Sequence, residues 1–491
     1  MEFRSLQEVK EELYKCARCQ ECRESVKIVS ANKPVYLVCP VREVLGFDSY
    51  TGRGRLLAIR HVYEDLLKLT KENVHYFYTC TLCGNCREVC IARMGKGIDV
   101  PAVIEAFRRD LYENQLFVDG VAELVQSVKE NKNPYLEKHE ERLSWLEGIE
   151  APIGEGAEYI YFVGCTSSYR TQKIARATVE LFNKIGLNYT LLKDEWCCGS
   201  TLLRVGAFKE VDELLEHNLQ AFKDVGAKYI VTSCAGCYRT FKLDYPKIAG
   251  ELGVEVLHTT ELLAKLLKEG GISFKEIGSF KLTYHDPCHL GRHAGVYDAP
   301  REVLKAIPGV ELIEMQRAKS YSFCCGYGGG VRKNDPELAL KLAKNRVQEA
   351  LQLGVDTLVT ACPFCVRGLS DGASELQAQV KVLDLVELAA QAIVPAEKVE
   401  VAAEELTEVF AKYLQAHPEI FDELKVGSIL NYFTPDGNFH VVKTGKREIR
   451  VERGAVEKPD VDLHFTEEAV KRLTSAATRE AVSYTHLRAH E

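Results

Sequence analysis

At 491 residues and 46% hydrophobic composition, the chain is long enough to bury several cores, and length alone suggests about three domains. Its 63 basic and 71 acidic residues, a net charge of −8, are spread without a single-sign block, which excludes the electropositive footprint of a nucleic-acid binder. The longest apolar runs, such as residues 159–163 and 385–394, fall far short of the roughly 20 residues a spanning helix needs, so any membrane attachment is expected through a partner.

The first residues, MEFRSLQEVKEELYK, are amphipathic and charged, with no apolar core and no small-residue cleavage site, so no secretory signal is read here. A cytoplasmic, reducing compartment is the expectation. In that setting eighteen cysteines argue against a disulfide framework, which belongs to small secreted domains, and for metal or redox chemistry.

Residues 1–115 read as a domain of short helices punctuated by cysteines. Cys16, Cys19 and Cys22 form CxxCxxC, and Cys80, Cys83, Cys86 and Cys90 form CxxCxxCxxxC. A zinc ion usually draws its ligands as two separated CxxC pairs. Three cysteines at consecutive two-residue gaps instead wrap three iron corners of a cubane and leave the fourth corner to a remote thiolate. In two-cluster ferredoxins the fourth cysteine of each run serves the other cluster. Applied here, that rule assigns Cys16, Cys19, Cys22 and Cys90 to one [4Fe-4S] cubane and Cys80, Cys83, Cys86 and Cys39 to a second, with a buried free thiol as the alternative for Cys39. The arrangement, with Thr51-Gly-Arg-Gly-Arg-Leu-Leu between the cysteine groups, resembles the α-helical ferredoxin modules of heterodisulfide reductases and succinate dehydrogenase iron–sulfur subunits. It departs from them where residues 23–38 separate Cys22 from Cys39, and where Ile91 rather than proline follows Cys90.

Residues 116–157 carry no cysteine and read as a charged helical connector over 118–146, with a Gly/Pro-containing linker at 151–156. The next stretch repeats itself, over 158–275 and again over 276–393. In the first copy an apolar run leads to Cys165, then come Cys197-Cys198-Gly199, then Tyr-Ile-Val-Thr-Ser and Cys234-Ala-Gly-Cys237. The second copy runs through Cys288, then Cys324-Cys325-Gly326, then Thr-Leu-Val-Thr-Ala and Cys362-Pro-Phe-Cys365. Short β-rich runs alternating with helical patterns predict parallel, Rossmann-like α/β units, in which ligands sit at the carboxyl ends of strands. Several of these cysteines follow such runs directly. Adjacent cysteines suit neighbouring irons better than one metal ion, and a strained vicinal disulfide is the alternative.

The intervals resemble the cysteine-rich CCG motif of heterodisulfide reductase catalytic subunits. That resemblance implies a noncubane [4Fe-4S] cluster on each set of five: Cys165, Cys197, Cys198, Cys234 and Cys237, and Cys288, Cys324, Cys325, Cys362 and Cys365. It covers nearly the whole stretch from Cys16 to Cys365, including the fusion of a ferredoxin module to two CCG domains. Helix N-termini after Cys198 and Cys325 would favour the thiolate form. Gly199, Gly236, Gly326, Gly328, Gly329 and Gly330 would let backbone amides approach the sulfurs. Gly326-Tyr-Gly-Gly-Gly-Val fails the GxGxxG nucleotide pattern at Val331. His285, His289 and His293 surround Cys288 on what Pro287 and Gly291 make a loop; hydrogen bonding to a cluster, core packing and proton delivery are all open to them. Arg170, Arg239, Arg292, Arg332 and Arg367 follow cluster cysteines and are candidates to offset cluster charge or hold an anionic substrate.

Residues 394–475 read as a small α+β region: a helix over 397–416, a hairpin turning at Pro435-Asp-Gly, and a pattern that weakly resembles the end of a sterol-carrier-like domain. Residues 482–491 resemble a non-native tail. The expected fold is thus α/β tandem CCG repeats with an N-terminal α-helical ferredoxin domain and a small α+β C-terminal region. The expected function is a heterodisulfide reductase-like iron–sulfur oxidoreductase, passing electrons through two cubanes to noncubane clusters that reduce a small disulfide. The alternative is an electron-transfer subunit of a flavin-linked glycolate, lactate or glycerol-3-phosphate dehydrogenase-type complex. No flavin or nicotinamide fingerprint is visible, so an electron-donating flavoprotein, a cytochrome-containing membrane subunit, or both, are the implied partners.

Overall fold

Tyr/Ile/Val-rich runs become the core strands of two parallel sheets in a computed structural model that describes residues 2–25, 36–94, 97–395, 414, 424–434, 437–445, 448–453, 455–456 and 459–464. In the first copy, β1 (Tyr159–Tyr161), β2 (Tyr189–Leu191), β3 (Tyr229–Thr232) and β4 (Glu255–His258) lie in the order 2-1-3-4. The second copy repeats this with β5 (Phe280–His285), β6 (Val310–Leu312), β7 (Thr357–Thr360) and β8 (Lys381–Asp384), ordered 6-5-7-8. Helices cover both faces of such a sheet, so its central strands are apolar on both sides. Ile160, Tyr161, Ile230, Val231, Leu358 and Val359 are accordingly buried. The expected α/β architecture is the one observed.

The two copies interlock reciprocally. The helix Gln172–Lys184, first of the longer helices in copy one, packs on Leu385–Ala392, the last helix of copy two. Conversely Thr259–Lys268, the last helix of copy one, packs on Asp298–Ala306, the first of copy two. An antiparallel ribbon, Ile272–Phe274 with Ile393–Pro395, joins the two carboxyl-terminal ends. Both last strands end on a residue that caps the following helix in a capping box: His258 with Glu261, and Asp384 with Glu387. This exchange of helices turns the carboxyl edges of the sheets toward each other.

The N-terminal region is helical, as expected, and is organised around Val100–Glu113, whose Val103, Ile104, Phe107 and Leu111 are buried. Asp110 accepts hydrogen bonds from the Ser5 and Leu6 amides, both at 2.8 Å, which pins the first helix to it. On the same helix Arg108, fully buried, donates to the carbonyls of Phe77 and Cys80 in its own region, of Arg204 in copy one and of Gly329 in copy two, at 2.7–3.0 Å.

The connector departs from a continuous helix. Asp119–Asn131 is helical, but Lys132 takes a left-handed conformation (φ 55°), and the chain continues as a turn and a 3-10 helix, His139–Leu146. Asn133 holds that turn through the Asn131 and Glu137 carbonyls, each at 2.8 Å. The connector therefore folds back on copy one instead of leading away from it.

Residues 1–396 form one unit and 397–491 a second. The second contains a four-stranded sheet in which Ile429–Thr434 pairs antiparallel with Gly437–Gly445 and parallel with Val461–His464, and Glu448–Arg453 lies antiparallel along Gly437–Gly445. The expected hairpin is present; its turn residues 435–436, the expected helix over 397–416 apart from Leu414, and the tail at 482–491 lie outside the described residues.

Replacing Arg108 with leucine would leave four buried carbonyls without their donor. Since an unsatisfied buried polar group costs roughly 1–3 kcal/mol, R108L is expected to lose about 3–5 kcal/mol, read by denaturant unfolding of the cluster-loaded protein. Lysine offers three N–H groups from one point instead of a planar fork, so R108K should fall between wild type and R108L.

Candidate functional site

The helix Gly52–Tyr63 begins between the two cysteine groups of the N-terminal region. Thr51 caps it through the Gly54 amide at 3.2 Å, and the free Arg53 amide donates to the Cys22 sulfur at 3.1 Å. A Cβ at Gly52 would stand 3.0 Å from the Cys86 Cβ and 3.4 Å from the Cys22 Cβ, so the close approach of both groups favours glycine there. A helix N-terminus placed this way favours negative charge on the sulfurs. The four cysteines assigned above to one cubane, Cys39, Cys80, Cys83 and Cys86, line a single cavity of about 30 Å³ beside Gly52 and Arg55. Arg55 is locked by the Tyr50 and Tyr76 carbonyls and the Thr79 hydroxyl at 2.7–3.1 Å, and its charge acts on Cys39. Cys90, on the helix Asn85–Met94, neighbours Cys16 and Cys19, and the Cys22 thiol interacts with Cys16 and Cys39. Cys19 is exposed.

In each α/β copy the first cysteine follows the first strand and the CxxC pair follows the third. Those two strands flank the point where the sheet order reverses, the usual ligand position in such folds. The CC pair arrives on the loop after the second strand. Its glycine, Gly199 or Gly326, has φ of +79° or +88° and turns its amide onto the sulfur of Cys197 or Cys324, 3.4 Å away in both copies. A Cβ would strike Val211 at 2.9 Å or Leu342 at 2.4 Å, which explains the glycine after each cysteine pair. Beyond it the copies differ. Ser200–Val205 starts a helix immediately after Gly199, as expected, whereas after Gly326 the glycine loop intervenes and the next helix begins only at Val331. The loop is spent on packing: Gly329 abuts the Thr81 backbone and supplies an acceptor to Arg108.

All ten repeat cysteines line one cavity of about 310 Å³ between the two copies. The connector closes it with Tyr135 and Leu136; Arg204, His289, Arg332, Phe364 and Arg367 complete part of its wall. Thiols hydrogen-bond within each set, as in Cys325–Cys365 at 3.5 Å, and across sets. Cys234 of copy one meets Cys362 of copy two, and Cys83 of the helical region meets Cys324. The eighteen thiols are all free, so neither vicinal pair is a disulfide.

His289 and His293 lie in the turn that Pro287 and Gly291 predict, whereas His285 is the last residue of β5, and the three separate in role. His285 ends β5 beside Cys325 and Cys365; His289 faces Arg239 at 3.3 Å on the cavity wall; His293 contacts the Leu82 carbonyl at 2.9 Å and packs against the helical region. Among the candidate arginines, Arg239 is held by Glu105, and Arg292 by the carbonyls of Cys83 and Ser322. Arg170 pairs with Glu137. Arg332 and Arg367 reach the cavity, stacked over Tyr327 and Tyr135, and neither has a carboxylate partner among the described residues.

Sequence reasoning passed over Arg142 and Glu195. The Arg142 guanidinium lies 3.6–3.7 Å from the Cys165 sulfur and is ion-paired with buried Glu195, which also accepts from the Val163 and Gly164 amides. Nothing near residue 142 marks it as part of the site. Only the folding back of the connector brings it there.

The donor set fits iron–sulfur clusters. Burial pushes the Cys22 and Cys39 thiols up to about 12, and Cys86 well above its ordinary range. Three thiols, Cys198 in copy one and Cys325 and Cys362 in copy two, are held low instead, because neighbours donate to them: Cys197 and Cys237 to Cys198, Cys324 and Cys365 to Cys325, and Cys234 and Cys365 to Cys362. Cys198 falls to about 6. Crowded, buried sulfurs of this kind share protons unless cationic iron replaces them, and thiolates bind iron only when deprotonated.

Comparison with known proteins agrees with this geometry. The cysteine-rich domain family matches residues 159–242 and 282–370, and the 4Fe-4S dicluster domain family matches 12–94. A subunit of the dihydromethanophenazine:CoB–CoM heterodisulfide reductase of Methanosarcina barkeri is 38% identical over 393 residues, covering 78% of this chain and 94% of that one. EtfAB:quinone oxidoreductase of Syntrophomonas wolfei is 35% identical, covering 63% of this chain and 46% of its own length. A subunit of the fumarate reductase (CoM/CoB) of Methanothermobacter marburgensis is 33% identical, covering 63% and 60%. A dicluster module, two cysteine-rich domains and a match along nearly the full length of a heterodisulfide reductase subunit place this chain in the heterodisulfide reductase-type family of iron–sulfur oxidoreductases.

Proposed function

We propose that the chain is a catalytic subunit that reduces a small disulfide in the cavity between its two cysteine-rich domains. The observation carrying this reading is the convergence of all ten repeat cysteines on one cavity. Cys16, Cys19, Cys22 and Cys90 would hold one cubane, and Cys39, Cys80, Cys83 and Cys86 the other. Cys165, Cys197, Cys198, Cys234 and Cys237, and Cys288, Cys324, Cys325, Cys362 and Cys365, would each hold a noncubane [4Fe-4S] cluster. When bound, the clusters supply one-electron steps and iron that accepts a sulfur ligand.

The balance is R–S–S–R′ plus two electrons and two protons, giving two thiols. A donor subunit, a flavoprotein or a cytochrome-bearing membrane subunit, would deliver electrons near exposed Cys19; among the described residues no helix is long and apolar enough to cross a membrane. The contact of Cys83 with Cys324 supports a path into the second copy, and that of Cys234 with Cys362 supports continuation into the first. Arg332 and Arg367, cationic and without carboxylate partners among the described residues, suit a disulfide with an anionic arm. Tyr135, Tyr327 and Phe364 would shield the S–S bond from water.

A second reading, electron relay to another acceptor, draws on the similarity to EtfAB:quinone oxidoreductase. The two separate in electron paramagnetic resonance of the oxidised holoprotein titrated with candidate thiols. A thiol-dependent paramagnetic signal is expected for disulfide chemistry; silence with every thiol alongside ready dye reduction points to the relay.

Iron analysis should give about sixteen atoms per chain for four [4Fe-4S] clusters; about eight would leave only the ferredoxin module loaded and sink the paired assignment. If Arg332 and Arg367 hold an anionic arm, R332A and R367A should each raise KM for an acidic disulfide by roughly tenfold, the loss of about 1.4 kcal/mol, with little change for a neutral disulfide.

A further inference from the structure

The two cysteine-rich centres have the same five-cysteine pattern but different surroundings. Three residues before its first cysteine, copy one carries Phe162, buried in an edge-on aromatic contact with Phe241 at 4.6 Å. At the corresponding place copy two carries His285, equally buried. Two residues before the CC pair the copies again differ: Glu195 in the first, Ser322 in the second. The first centre accordingly receives the Arg142 guanidinium on Cys165.

The second receives an imidazole whose tautomer the structure dictates. Arg346 Nε donates to His285 Nδ1 at 3.0 Å, and a guanidinium can only donate, so Nδ1 is the acceptor and the ring hydrogen sits on Nε2. Arg346 is in turn fixed by Glu349 at 2.7 Å and the Ser322 hydroxyl at 3.3 Å, and Glu349 is also gripped by Arg317. A ring nitrogen of His285 and the sulfurs of Cys325 and Cys365 lie within 4.8 Å of one another, and the ring acts on Cys325. A buried chain of charges thus leaves the ring one neutral N–H, on Nε2, beside the Cys325 and Cys365 sulfurs.

We propose that His285 is a positioning residue that raises the reduction potential of the second cysteine-rich centre alone, making the two centres electronically inequivalent. A hydrogen bond to a cluster sulfur stabilises the more negative, reduced state, and within a low-dielectric site that effect is large. The inference rests on the reading above that both centres carry clusters.

The test is a redox titration of the holoprotein followed by electron paramagnetic resonance, with iron content measured alongside. H285F places in copy two the residue copy one already uses, so it suits the available volume. The expected result is full iron content, a downward shift in the midpoint of one cysteine-rich centre and no shift in the other three clusters. H285Q, which can accept from Arg346 and still donate, should restore most of the shift. Unmoved midpoints in H285F with iron retained overturn the inference alone. Loss of about four irons in both variants also overturns it, because His285 would then hold the metal instead of tuning it. A wild type with about eight irons removes the paired-centre reading and this inference with it.

Discussion

One fully buried guanidinium joins every part of the redox unit. Arg108 has no carboxylate among its hydrogen-bond partners; it bonds only backbone carbonyls, drawn from the helical region, from copy one and from the glycine loop of copy two. A charge without water is tolerable only when each N–H is met, so the three regions must sit in one relative position to satisfy it. That same position puts Cys80, whose carbonyl is one of the acceptors, and its neighbour Cys83 against the second copy. Electron transfer between cofactors depends on their separation. The Arg108 hub fixes how the cysteine groups of the three regions lie relative to one another.

The repeat is the second organising element. Each copy alone would present five cysteines at the switch point of an open parallel sheet. Because an early helix of each packs on the last helix of the other, the two switch points face each other and the ten sulfurs share one cavity. The CxxC residues Cys234 and Cys362 then meet across the interface. Duplication of a four-stranded unit thereby creates a binding space that neither unit possesses. The connector supplies its remaining wall and, through Arg142, a charged donor to one centre only.

Symmetry of pattern coexists with asymmetry of environment. The glycine after each CC pair makes the same amide–sulfur contact in both copies, at the same 3.4 Å. Around that shared geometry, Glu195 with Arg142 serves one centre and His285 with Arg346 the other. The protein thus differentiates the surroundings of its two five-cysteine sets by hydrogen bonding without changing the cysteine count.

Much of this was legible in the chain itself. Cysteine spacing is a local property: CxxCxxC and CCG fix how many sulfurs a short loop can present, and the flanking apolar runs identified the strands that carry them. The grouping of Cys39 with Cys80, Cys83 and Cys86 also followed from spacing rules and coincides with one cavity. The helix expected directly after Cys325 did not form, because Gly329 of that stretch is committed to contact with Thr81 and Arg108. Arg142, Arg346 and Arg108 carried no signal at all. An arginine in a charged helical stretch looks like a solvated one, and its role depends on which distant carbonyls, carboxylates or sulfurs the fold brings within about 3 Å, a relation of short-range directional bonds between residues far apart in sequence. The sequence by itself therefore determined the number and spacing of the cysteine groups. Tertiary structure alone decided that two of them share a cavity and that each meets a different donor.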